Sequence, residues 1–209
     1  SMQSKFLYAK QLAAALGYIA LNTLDRLCVY GLADHLNPIL ETCRGRGNVM
    51  PFLRSLEEAE TFGHDTDFTT CTREFQARHR RKGMIVVVSD FLFPSGFEEG
   101  LKFLQWNKHD VFCLQVQDDN DQKCDWKGDV DLHCVETNQT QRVTVTAREA
   151  KQYEQAVADW NQGLYKSCKQ RDIGIASTTT ERPFEDIIRD ILRRGGPVSY
   201  THLTLPTTY

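Results

Sequence analysis

Met84-Ile85-Val86-Val87-Val88-Ser89-Asp90 is the stretch that decides the fold. An uninterrupted apolar, largely β-branched run predicts a strand covered on both faces, as parallel sheets require. The run stops abruptly at Ser89-Asp90, and a predicted helix from Ser95 to Lys108 leads to a second strand at Val111–Val116. Strand, helix, strand in that order is a crossover between parallel neighbours, and such crossovers are right-handed.

Upstream, apolar residues recur at Ala9, Leu12, Ala13, Leu16 and Ile19/Ala20, the spacing of one face of a helix over Lys5–Asn22. Arg26–Leu32 reads as a short buried strand, and His35–Asn48, with Pro38, Gly45 and Gly47, as a loop. Two helices follow, Val49–Thr61 and Asp67–Arg81, broken by Gly63-His64-Asp65-Thr66. Downstream, Asp118–Gly128 is acidic and turn-like. Leu132–Val135 and Arg142–Thr146 form a predicted hairpin around Asn138-Gln139-Thr140. A long helix over Ala147–Arg171 carries Tyr153, Val157, Trp160 and Leu164 on one stripe, before a strand at Ile173–Ala176 and a helix at Pro183–Arg194. Helices alternating with covered strands predict a three-layer α/β domain.

The chain has 209 residues, 41% hydrophobic and 25% charged, with a net charge of −3. That is enough for one domain with a real core. It argues against a nucleic-acid partner, because tracking phosphates needs a concentrated basic surface. The run Arg78-His79-Arg80-Arg81-Lys82 is the local exception, read as the solvated, cation-favouring end of a helix. Seven scattered cysteines without a CxxC pair suggest neither zinc nor a redox site. They suit the reduced thiols of a cytoplasmic protein. No apolar run is long enough to span a bilayer.

In open α/β sheets, ligands sit outside the carboxyl ends of the strands. Asp90 lies at such an end, and Thr66 lies in a glycine-flanked loop just before a helix. One carboxylate with hydroxyls is a hard-oxygen set suited to Mg2+ or Mn2+. On spacing alone the alternative is local: Asp90 capping the next turn, and Thr66-Asp67 capping a helix.

Four stretches change that balance: residues 8–32 (YAKQLAAALGYIALNTLDRLCVYGL), 46–68 (RGNVMPFLRSLEEAETFGHDTDF), 80–116 (RRKGMIVVVSDFLFPSGFEEGLKFLQWNKHDVFCLQV) and 172–194 (DIGIASTTTERPFEDIIRDILRR). In order and spacing they resemble the von Willebrand factor A-like family catalogued as domain of unknown function 58. The resemblance implies one domain over residues 1–196: a three-layer, Rossmann-like α/β fold with a mostly parallel sheet and a small β-hairpin insertion. It also implies a metal-ion-dependent adhesion site made by an Asp-x-Ser-x-Ser motif, a threonine and a later aspartate. Ser1 matches the last serine of that motif, Thr66 the threonine and Asp90 the aspartate, with Asp67 and Ser89 as supporting neighbours. The leading Asp and first Ser, with the central strand that delivers them, are not in this sequence. An N-terminally truncated domain is therefore expected, and a membrane anchor upstream is left open.

What the family resemblance implies for function is protein binding through Mg2+ or Mn2+, with a MoxR-type AAA+ ATPase as partner, in protein remodelling or metal insertion. It implies no enzyme. Two alternatives stand beside it. One is a metal-free scaffold; the other is a metal-dependent hydrolase using Asp90, or His64 as a base near Thr66. A nucleotide-binding Rossmann domain is weaker, since no GxGxxG follows a readable strand. The segment from Pro197 to Tyr209 has no amphipathic period and resembles translated sequencing-adapter read-through. It is expected to be a non-native or disordered tail without function.

Overall fold

The computed structural model describes residues 4–61, 66–118, 121, 128–133 and 140–193. Helix α1 (Lys5–Asn22) starts where the Ser4 hydroxyl accepts the Leu7 N–H at 3.2 Å. It stops at Leu24, whose φ of 64° turns the chain into strand β1 (Arg26–Leu32). Strand β2 (Leu36–Arg44) pairs antiparallel with β1. A 3-10 turn at Arg46–Asn48 leads to α2 (Val49–Glu58), and α3 (Phe68–Arg78) follows. Then come β3 (Met84–Ser89), α4 (Glu98–Leu104) and β4 (Asp110–Gln117). The hairpin β5 (Gly128–His133) and β6 (Thr140–Val145) precedes the long α5 (Ala147–Gln170). Strand β7 (Gly174–Thr179) and α6 (Phe184–Arg193) complete the described chain.

The fold is mixed α/β, built around a parallel sheet in the order β3-β4-β7. Its central strand sorts two cores by the two-residue period of a strand. Phe112, Leu114 and Val116 pack with Tyr8 and Leu12 of α1 and Ile187 and Ile188 of α6. Val111 and Cys113 pack with Phe68 of α3, Leu101 of α4 and Leu164 and Cys168 of α5. Helices therefore cover both faces. Gly100 lets α4 approach α3, because a Cβ there would lie 2.3 Å from the Phe68 ring. Leu114 is fully buried at the middle of this arrangement. Leu114→Ala is expected to cost about 2–5 kcal/mol in denaturant unfolding, since the strand around it cannot collapse into the space left. A loss near zero would mean that β4 is not the centre of the core.

The two-stranded β1-β2 sheet is separate from the parallel sheet among the described residues. Helix α1 lies against both. Its Tyr8, Leu12, Leu16 and Ile19 stripe packs with Val86 and Val88 of β3. Its Ala13, Ala14 and Leu21 pack with Leu27 and Val29 of β1 and Phe52 of α2. Leu32 of β1 and Ile85 of β3 also rest on one common cluster. The two sheets thus share cores without sharing backbone hydrogen bonds.

Three sequence expectations need correction. Residues 36–44, expected as loop, form β2: Leu36 is buried, and Ile39, Leu40 and Cys43 pack against α2. Pro38 is tolerated because β2 pairs on one side only, next to a register shift opposite Val29/Tyr30. The segment turns out of strand geometry at Gly45, where φ is 88°. Second, among the described residues β3 is an edge strand and only half-buried, whereas Val111–Gln117 of β4 is buried throughout. Third, the helix expected over Ser95–Lys108 is confined to Glu98–Leu104, and Lys108 takes a φ of 56°. The hairpin is present, with its register running from Gly128↔Val145 to His133↔Thr140, and it begins earlier than expected. The tail at 197–209 lies outside the described residues.

Candidate functional site

Because β3, β4 and β7 run parallel, Ser89, Gln117 and Thr179 end at one edge of the sheet. The beginning of α1 reaches the same edge. Lys5 donates to Asp90 Oδ2 at 2.7 Å and to Asp121 Oδ2 at 2.8 Å. Burial alone pulls the Lys5 ammonium down, but Asp121 and Asp90 outweigh it and hold its pKa above the ordinary lysine value. The Asp90 side chain stays 30% exposed, with its Oδ1 accepting the Leu92 N–H at 3.2 Å. Asp121 Oδ2 also accepts the Asp118 N–H, and its carbonyl accepts the Tyr153 hydroxyl.

Immediately after Asp90 the chain is forced into an unusual turn. Phe91 is fully buried with a φ of 61°, a left-handed conformation that costs a bulky residue strain. Two hydrogen bonds hold it there: its N–H donates to Ser89 Oγ at 3.0 Å, and its carbonyl accepts Trp160 Nε1 of α5 at 3.1 Å. The Asp90 carbonyl is held from below by Gln115 Nε2 at 3.3 Å. Gln115 and Gln117 both donate to Asn161 Oδ1, and Ser177 donates to Gln115 Oε1. This polar layer, with Gln115 and Gln117 buried, continues the Cys113 face of β4 just where the strand meets the site.

The start of α3 arrives beside this turn. Phe68, next to Asp67, packs edge-to-face on Phe91, next to Asp90, with centroids 6.3 Å apart. The Asp67 N–H and the Cys71 thiol both donate to the Ala33 carbonyl, tying the loop to the end of β1. Asp67 is the N-cap of α3: Oδ1 accepts the Thr70 N–H at 2.9 Å and Oδ2 the Thr70 hydroxyl at 2.7 Å. Those bonds, the backbone one first, hold its carboxyl below the usual value. Thr66 is half-buried, and its side chain bonds to no other described residue.

The structure therefore brings the Thr66-Asp67 loop and the Ser89-Asp90 strand end to one neighbourhood. Asp67 caps its helix, and the Ser89 hydroxyl braces the turn after Asp90. Ser1 and His64 lie outside the described residues. Sequence reasoning missed Lys5, Asp121 and the Gln115–Asn161 layer. Two glutamines at alternate positions of an otherwise apolar strand were a readable signal of a polar site above it. Lys5 carried no such signal. Asp67→Ala is expected to lower stability by about 1 kcal/mol. Because the folded pKa is depressed, the cap's contribution is present above the unfolded value and fades as pH falls through the folded one. Wild type and variant should therefore converge at low pH in melting experiments; a constant gap would contradict this role.

The chain belongs to the family described as "Protein of unknown function DUF58", which matches residues 1–162. A Mycobacterium avium protein printed as "Uncharacterized protein MAV169" is 29% identical over 127 residues, 61% of this chain and 73% of that protein. Among solved structures, the conserved hypothetical protein BatB from Bacteroides thetaiotaomicron is 15% identical. The alignment covers 90% of this chain and 87% of that one, with a TM-score of 0.49. An uncharacterized membrane spanning protein from Vibrio fischeri aligns at 14% identity over 91% and 85%, with a TM-score of 0.27. In this chain, no helix among the described residues is long and apolar enough to cross a membrane.

Proposed function

We propose that this chain is a von Willebrand factor A-type interaction domain that binds a protein partner through a divalent cation at the sheet's carboxyl edge. The observation that supports the reading is the packing of Phe68, two residues after Thr66, on Phe91, the residue after Asp90. The side chains offered are oxygen donors, the class that Mg2+ and Mn2+ prefer. Asp90 and Thr66 would hold the ion, with Ser1 as a third donor. Bound there, the cation would offer an open coordination position to an anionic group.

Lys5 fits the same reading. A positive charge already bridges Asp90 and Asp121, so the edge is built to favour a cation. What remains for the protein to do is binding: the Gln115–Asn161 layer and the Phe91 turn fix the Asp90 backbone, and a carboxylate from the partner completes the site. No acid–base step is required. A MoxR-type AAA+ ATPase is the partner that the family resemblance suggests.

The test is partner affinity with Mg2+ and with EDTA. Binding should be about tenfold or more tighter with Mg2+, roughly 1.4 kcal/mol, and Asp90→Ala should abolish the difference. Equal affinity in both buffers would favour a metal-free scaffold.

A further inference from the structure

At the opposite end of the domain, where α3 and α4 run out and β3 and β4 begin, lies a second surface with a different chemistry. Arg73, Gln76, Arg80, Phe103, Trp106 and Asn107 line a groove of about 340 Å3. That is ample room for an anchoring side chain. Trp106 is 71% exposed, more than any other large apolar side chain among the described residues. It is not loose: its ring lies parallel to Phe103 at 5.8 Å, and the Arg73 guanidinium sits 4.7 Å over the other ring. The floor is fixed by polar contacts, with Gln76 donating to the Leu104 carbonyl and Asn107 donating to Gln76 and to the His79 carbonyl.

The charges around the groove are unbalanced. Arg73 pairs with Glu99, Arg78 with Glu74 and Lys82 with Asp110. Arg80 and Arg81 have no carboxylate partner among the described residues. The groove itself is lined by two arginines and no acid. An aromatic platform whose rim carries Arg80, with no carboxylate partner among the described residues, is complementary to an acidic segment carrying an apolar anchor, and exposed Trp and Arg are the residue types that dominate such contacts.

We propose that this groove docks an acidic peptide segment of a partner protein, its apolar side chain stacking on Trp106 and its carboxylates meeting Arg80 and Arg73. Stacking on a nucleobase is the competing use of such a platform. The basic rim is short and the chain carries a net charge of −3, which disfavours tracking a phosphate backbone. The groove is independent of the Asp90 site and of any metal there.

The experiment is fluorescence anisotropy with the chain extended by an upstream apolar strand, so that folding is not at issue, and a labelled synthetic peptide rich in Glu and Asp that carries one Leu-Phe pair. Its companions are the same peptide with Gln and Asn for the acids, one with Ser for the Leu-Phe pair, and a single-stranded oligothymidine. The acidic, anchored peptide should bind, and both altered peptides should bind at least about tenfold more weakly. Trp106→Ala and Arg80→Glu should each weaken it by a similar factor, and EDTA should change nothing. Both side chains are exposed, so the circular dichroism and melting of the variants should match wild type; two separate variants keep the test decisive if one perturbs folding. Absence of peptide binding, binding that survives both substitutions, or tighter binding of oligothymidine would overturn the proposal.

Discussion

Residues 1–209, expressed alone, are expected to associate through open strand edges rather than to behave as a cooperatively melting monomer. Among the described residues, strand β3 pairs only with β4, and β1 only with β2. Each leaves a row of backbone N–H and C=O groups on its outer side, and such rows are templates for another strand. The side chains beside them are not those of a protected edge. Ile85-Val86-Val87-Val88 is a β-prone apolar run without charge or proline. α1, with the clusters it joins, brings β1 and β3 onto common cores. Under the proposed A-type order, a further strand would pair between them. Adding an upstream apolar strand that ends in Asp-x-Ser-x should give a monomer with one sharp thermal transition. Light scattering on a size-exclusion column distinguishes the cases. A stable monomer of the present chain with one sharp transition would show that no strand is needed there.

How much was legible beforehand depended on whether a signal was local. The period of α1 is written in Leu12 and Leu16, so its bounds were readable, and the Thr146/Glu149 capping box marks the start of α5 in the sequence itself. The Ser89-Asp90 stop was legible because a run of β-branched residues ends there. Which strand is central was not legible. Ile85–Val88 looks as apolar as Val111–Val116, and burial is decided by the neighbours each strand pairs with, a non-local property. β2 was hidden behind Pro38, whose turn signal is overridden by the packing of Ile39 and Leu40 on α2. The basic run after α3 was read as solvated, yet His79 is half-buried and shares a 2.8 Å hydrogen bond with Tyr30. Segment order pointed to Thr66 and Asp90 as candidates. Lys5 and Asp121 were not legible, because nothing in a sequence ties residues 116 positions apart to one carboxylate pair.

The site prediction has an equally large effect. Lys5 holds Asp90 and Asp121 with one ammonium, and a divalent cation at Asp90 has to displace or share that contact. Removing the ammonium should therefore strengthen cation binding, and removing the carboxylate should abolish it. These opposite signs separate a cation site from an ordinary structural ion pair, for which both substitutions would only destabilise. Titration of Mn2+ followed by electron paramagnetic resonance measures this directly. The protein to use is the chain extended by an upstream strand ending in Asp-x-Ser-x, so that folding and binding are tested together. The expected result is one bound Mn2+, lost in Asp90→Ala and bound about tenfold or more tightly in Lys5→Ala. Mn2+ binding that Asp90→Ala leaves unchanged, or no Mn2+ bound by a folded monomer, would contradict a cation-assisted site at this edge.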